Sequence, residues 1–89
     1  MEPLVFPIED AYKLDGKNYL KWSQLVRTML KEKINHLMGT GPKSGDPRFE
    51  AWDEEDSMIM AWLWNSMTPK IRDTCMFLAT TKDIWDAIQ

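Results

Sequence analysis

Residues 58–64 read MIMAWLW: Met58, Ile59, Met60, Ala61, Trp62, Leu63 and Trp64. This run is apolar throughout. A helix on the surface of a small protein is apolar along one stripe only, and a helix apolar around its whole circumference lies at the centre of a fold. The run is far shorter than the roughly 20 residues needed to cross a bilayer. It is expected to be the second half of a helix over about 47–66, central to the domain, with the sides its own chain leaves bare covered by another subunit.

Upstream of the run, Asp46-Pro47 offers a cap followed by proline at the first helical position. Phe49 and Trp52 then alternate with Glu50, Asp53, Glu54, Glu55 and Asp56. The acidic run suits the start of a helix and reads as a solvated face. Residues 39–47, GTGPKSGDP, form a loop by composition. They lack the GxxxxGK[ST] spacing of a phosphate-binding loop, and Pro42 removes a backbone donor where the cradle would need one.

Before the loop, Trp22, Leu25, Val26, Met29 and Leu30 fall at i, i+3, i+4, i+7 and i+8. This spacing predicts a helix over about 18–33, with Asn18 as N-cap and Tyr19 extending the stripe. Asp15-Gly16 marks a turn. Residues 1–13, with Pro3 and Pro7, read as an extended arm, and residues 14–89 as one helical domain. After the central helix, Thr68-Pro69 opens a third helix to about Leu78, with Ile71, Cys75 and Leu78 on its inner stripe. Thr80 and Asp83 match a capping box that opens a fourth, with Ile84, Trp85 and Ile88 facing inward. The fold class expected is all-α: a small bundle of about four helices with an extended N-terminal arm. Tyr19, Trp22, Trp52 and Leu63 are the expected core. The central run is expected to pack on Trp22, Val26 and Met29.

Composition narrows the function. The chain has 89 residues, 44% of them hydrophobic, with five Trp and seven Met. That is globular composition, rich in the residues that build large or adaptable contacts. A net charge of −3 disfavours a nucleic-acid or anionic-membrane surface as the main function, although the first helix is locally basic. The single Cys75 cannot close an intrachain disulfide, and MEPLVFPIED lacks the basic flank of a signal peptide, so the expected location is the cytoplasm. Cys75 and His36 are far apart in sequence and show no metal-ligand spacing, and nothing near Cys75 supports an activated thiol. Cys75 reads as a small core residue and His36 as a loop or helix-end residue. No cofactor, metal site or catalytic residue is expected. The chain reads as an interaction protein and not an enzyme.

KLDGKNYLKWSQLVRTML, residues 13–30, resembles the start of the Gag polyprotein of plant copia-type LTR retrotransposons through Leu14, Gly16, Asn18, Tyr19 and Trp22. Two later blocks, AWDEEDSMIMAWLWNSMTPKI at 51–71 and TTKDIWDAIQ at 80–89, resemble the same family in order and spacing. The resemblance implies a fold like the N-terminal lobe of a retroviral capsid protein, and a protein that self-assembles. The family's second lobe and its CCHC zinc knuckle have no counterpart in these residues. Two expectations follow: a piece of a longer Gag, or a shortened, domesticated Gag-like product.

The leading functional expectation is a self-associating structural module that oligomerises through Leu20, Met58, Met60, Trp62, Trp64, Trp85 and Ile88. Exchange of the short last helix between chains would be one route to a dimer. The alternative is a regulatory binding module that interferes with, or redirects, the assembly of full-length Gag or another viral or host protein. Weak RNA binding through the basic first helix is a third reading.

Overall fold

The computed structural model describes residues 10–88. The fold is all-α. A 3-10 turn at Asp10–Tyr12 leads to α1 (Tyr19–Met29), a second 3-10 turn at Lys31–Lys33, α2 (Ile34–Met38), α3 (Phe49–Asn65), α4 (Pro69–Cys75) and α5 (Thr81–Ala87). The expected arm over 1–13 lies mostly outside the described residues; its last part, Asp10–Tyr12, is a 3-10 turn and not extended chain.

The described residues form five α-helices where about four were expected: the first ends at Met29, short of the expected 33, and a short helix the sequence reading did not assign, α2, follows. At Leu30 the backbone leaves the helical region (φ −100°, ψ 23°), and the Lys33 amide bonds back to the Leu30 carbonyl at 2.8 Å. The turn Lys31–Lys33 carries only charged side chains, so nothing apolar holds it on the core. Beyond it, α2 is redirected to pack against α5, burying Leu37 and His36. Along α1 itself, Trp22, Val26 and Leu30 are buried at i, i+4 and i+8, with Leu25 and Met29 half-buried beside them. The end of α4 also differs from expectation. The helix stops at Cys75, and the Leu78 amide bonds to the Cys75 carbonyl at 3.1 Å, which turns Met76 and Phe77 outward. Met-Phe-Leu carries no glycine or polar cap, so periodicity reads it as continuing helix.

Helix α3 is central, as its apolar run requires. It packs against α5 and α4, and Ile59, Met60, Trp62 and Leu63 are buried. Trp64 is half-buried, with its indole N–H donating to the Cys75 carbonyl at 3.2 Å. Within the apolar run only Met58 and Ala61 remain exposed; the first half of the helix exposes Glu50, Ala51, Asp53, Glu54 and Ser57 as well. The run thus finds its cover on the other helices of the same chain.

The segment before α1 is tied to the end of α3. Leu14 and Met67 form an isolated parallel bridge: the Leu14 amide donates to the Ser66 carbonyl, and the Thr68 amide to the Leu14 carbonyl, each at 2.9 Å. The Trp22 indole N–H donates to the same Ser66 carbonyl at 3.0 Å, with Ser66 Oγ at 3.2 Å. Gly16 makes the turn between the bridge and α1 at φ +90°, where a Cβ would be strained. Asn18 occupies the N-cap position but does not cap with its side chain. Its Nδ2 donates to the Lys13 carbonyl at 2.8 Å and its Oδ1 accepts from the Asp15 amide at 3.1 Å, so it clamps the turn instead. Thr80 does cap α5, accepting from the Asp83 amide at 3.1 Å.

Leu63 is fully buried whereas Leu20 is 80% exposed. Leu63→Ala is expected to lower stability by about 2–5 kcal/mol. Leu20→Ala should stay within about 0.5 kcal/mol of the parent. Urea unfolding of the two variants checks the assignment of the inner face.

Candidate functional site

The most elaborate polar structure sits where α2, α3 and α5 meet. Asp56, on the core side of α3, is buried despite lying in an acidic run. Its Oδ1 lies 2.8 Å from His36 Nδ1, and its Oδ2 accepts from the Thr81 amide at 3.1 Å. Its backbone carbonyl accepts from Thr81 Oγ1 at 3.1 Å. The other ring nitrogen of His36, Nε2, lies 2.9 Å from Glu55 Oε1, and Glu55 Oε2 accepts from Lys33 Nζ at 2.7 Å. Both nitrogens of a buried imidazole therefore face carboxylate oxygens. With those carboxylates ionised, both contacts are hydrogen bonds only when both nitrogens carry protons, because a neutral ring has one N–H to donate.

Trp52 covers this cluster. Its ring stacks on His36 with centroids 3.6 Å apart and planes 10° from parallel. Gly41 packs against the Trp52 indole: a Cβ there would sit 2.2 Å from it, so the loop can approach only without a side chain. The expectation that Trp52 is core is corrected: it is half-buried, a lid between polar residues and the loop. The reading of Asp53–Asp56 as a solvated face holds for Asp53 and Glu54 but not for Asp56, nor for Glu55, whose side chain is mostly covered. His36, read as a loop or helix-end residue, is buried on α2.

Burial pushes the Glu55 carboxyl up, but hydrogen bonds from Lys33 and His36 outweigh this and hold it below the ordinary value. At the loop's far end, Asp46 accepts from the Arg48 guanidinium and the Arg48 amide, and its carboxyl is lowered to about 2. Asp46 therefore closes a turn ahead of α3 and does not cap it; the helix begins at Phe49.

Chemically, the cluster holds three helices together. The imidazole is enclosed, and both its nitrogens are engaged. Cys75 is buried on α4, beside Thr74 Oγ1 at 3.7 Å, and shares none of the contacts of His36. Among the described residues, no group of His, Cys, Asp or Glu is arranged to hold a metal ion. Among the same residues, no helix is long and apolar enough to cross a membrane.

The residues assigned to an interface divide into three sets. Met60, Trp62 and Trp85 are buried within the chain: Met60 and Trp62 on the covered side of α3, and Trp85 against Trp22 with centroids 5.7 Å apart. Arg27 lies over the Trp85 ring, 5.6 Å from its centroid. An open surface built on these three is corrected: their neighbours are the chain's own helices. Trp64 and Ile88 are half-buried against the core. Leu20 and Met58 are exposed, at 80% and 39%. Tyr12, Met38, Met76 and Phe77 are exposed large hydrophobics that the sequence reading missed. Leu14, Gly16, Asn18, Tyr19 and Trp22 come together as one unit around the bridge to Ser66 and Met67, with the Tyr19 and Trp22 rings 6.4 Å apart.

Comparison with known proteins returns no matching family model, no matching curated protein and no matching solved structure.

Removing the Asp56 carboxylate would leave the Thr81 amide and His36 without their partner. Asp56→Ala is expected to cost about 3–5 kcal/mol, read by urea unfolding. Glu55 sets a direction with pH. Its carboxyl is lowered in the folded chain, so its contribution is present above the ordinary glutamate value. On acidification the unfolded chain takes up the proton first, and the contribution is lost as pH falls through the folded value. Glu55→Gln should flatten the acid limb of a stability–pH profile; an unchanged acid limb would assign the loss to other carboxylates.

Proposed function

We propose that this chain is a non-enzymatic, self-associating structural module, similar to the N-terminal lobe of the Gag protein of plant copia-type retrotransposons, and that it works in the cytoplasm. The observation that carries the reading is the exposure of Leu20 and Phe77, at 80% and 79%. The chain covers Trp22, Trp62 and Trp85, and no buried side-chain nitrogen or oxygen among the described residues lacks a hydrogen-bond partner. Against so complete an interior, the large apolar side chains left in water are the surface to which we assign association.

Two features add support. Within the blocks that carry the resemblance, 13–30 and 51–71, Leu14 and Trp22 are joined by hydrogen bonds to Ser66 and Thr68, so this part of the motif has a structural reason to occur together. The His36 cluster is built to hold helices and leaves no ring nitrogen open to a substrate.

Light scattering after size-exclusion chromatography, over a wide range of concentration, tests the reading. The mass is expected to rise above that of the monomer as concentration increases. Leu20→Asp combined with Phe77→Asp should raise the association midpoint by about tenfold or more, because each residue is an apolar anchor with no role in the core. A chain that stays monomeric throughout would favour the regulatory reading, in which the same surface binds full-length Gag or a viral or host protein.

A further inference from the structure

Two exposed patches on this chain complement one another, and they lie at opposite ends of α3. The first is on α1 and the turn before it: Leu20, flanked by Lys17 and Lys21, all exposed. Among the described residues these two ammonium groups make no ion pair. The second is a cleft of about 420 Å³ beside the first half of α3. Pro42, Ala51, Trp52 and Met58 give it apolar walls; Glu54 lines it, exposed and without an ion pair among the described residues, while Arg48 and Glu55, which also line it, are paired with Asp46 and Lys33. Glu50 continues the acidic edge one turn away on the same helix face. An apolar side chain between two cations meets an apolar cleft edged by carboxylates.

The two patches cannot meet within one chain. The start of α1 is fixed to the C-terminal end of α3 by the hydrogen bonds to Ser66. The cleft is centred near residue 53, about 20 Å back along the helix at 1.5 Å per residue. A patch and its complement on separate parts of one surface pair either head to tail, in a ring or an open chain, or reciprocally across a two-fold axis as a closed dimer.

We infer that the occupant of the Trp52–Met58 cleft is the Leu20 patch of a second copy of this chain, giving head-to-tail association. The inference rests on the self-association proposed above and names its surfaces and polarity. Lys17 and Lys21 of one copy lie against Glu54 and Glu50 of the next, with Leu20 in the cleft. Association of this kind weakens with added salt, because the flanking charges sit at the rim.

The test uses the whole chain in sedimentation velocity, with urea unfolding to confirm that each variant is folded. The wild-type chain is expected to grow past dimer as concentration rises. Leu20→Asp and Met58→Asp should each raise the association midpoint by about tenfold or more. An equimolar mixture of the two should give a capped heterodimer, because each variant keeps the surface that the other has lost. Lys21→Glu should weaken association, and adding Glu54→Lys in the same chain should restore it. Growth that stops at a dimer at every concentration would overturn head-to-tail polarity. Association unchanged in all the variants would overturn these surfaces and leave self-association standing. A wild-type chain that is monomeric throughout would overturn both.

Discussion

The carbonyl oxygen of Ser66 accepts from the Leu14 amide and from the Trp22 indole, and the placement of the N-terminal half depends on it. Ser66 follows the last turn of α3, where helix carbonyls have no partner within the helix. Its own amide bonds back to Trp62 and Leu63, each at 3.0 Å, which leaves the carbonyl pointing outward to be shared. Each such bond contributes about 1 kcal/mol net, but an orphaned buried donor at Trp22 would cost more than that. The bonds therefore act chiefly on register. They bring Met67 under Leu14, set the direction in which α1 leaves the Gly16 turn, and lay Trp22 on Trp85 of α5. A slip at Ser66 would unseat the paired indoles of Trp22 and Trp85 as well as the bridge.

Asp56 performs the corresponding task about three turns earlier on α3, where one carboxylate reaches α2 through His36 and α5 through Thr81. Between these polar ties lie Ile59, Met60, Trp62 and Leu63, which supply area but little direction. The division explains why an acidic residue occupies a core-facing position. Apolar packing alone would let α5 slide along α3, whereas a carboxylate with two fixed partners admits one position. Buried charges often cost as much as they return. Here the return is a defined position for α5, a helix of two turns packed against both α2 and α3.

Much of this was legible in the sequence. The heptad-like spacing from Trp22 to Leu30 marked α1, the Thr68-Pro69 and Thr80-Asp83 signals marked the starts of α4 and α5, and the all-apolar run marked α3 as central. The misplaced features have a common cause. Periodicity weighs each residue by its type and ignores which distant residue stands opposite. Asp56 sits at the same helical face as Ile59 and Leu63, yet its type placed it with Asp53 and Glu54. His36 and Asp56 are 20 residues apart in sequence, and nothing local announces the pair. The same blindness made Met60, Trp62 and Trp85 look like surplus surface: a helix apolar on all sides does not say whether its cover comes from its own chain. The breaks at Leu30 and Cys75 lacked the glycine or proline that punctuates other helix ends. Both are set by tertiary packing, since α2 and the α4–α5 turn must reach α5 and its N-terminus.

Internal cover for α3 changes what the apolar surplus means. If the tryptophans of the central run faced solvent, almost any apolar partner would fit, and specificity would need another source. With them buried, two of the exposed apolar residues stand in charged company: Leu20 beside Lys17 and Lys21, Met58 beside Glu54. Such a surface gains modest affinity from area and selects its partner by charge. The two ties on α3 then acquire a second consequence. Ser66 holds the basic patch at one end of the helix, while Arg48, Trp52 and the loop packed on it shape the acidic cleft toward the other. In the association proposed, one rigid helix would separate the two surfaces by a fixed distance, and that separation would give a contact between copies its direction.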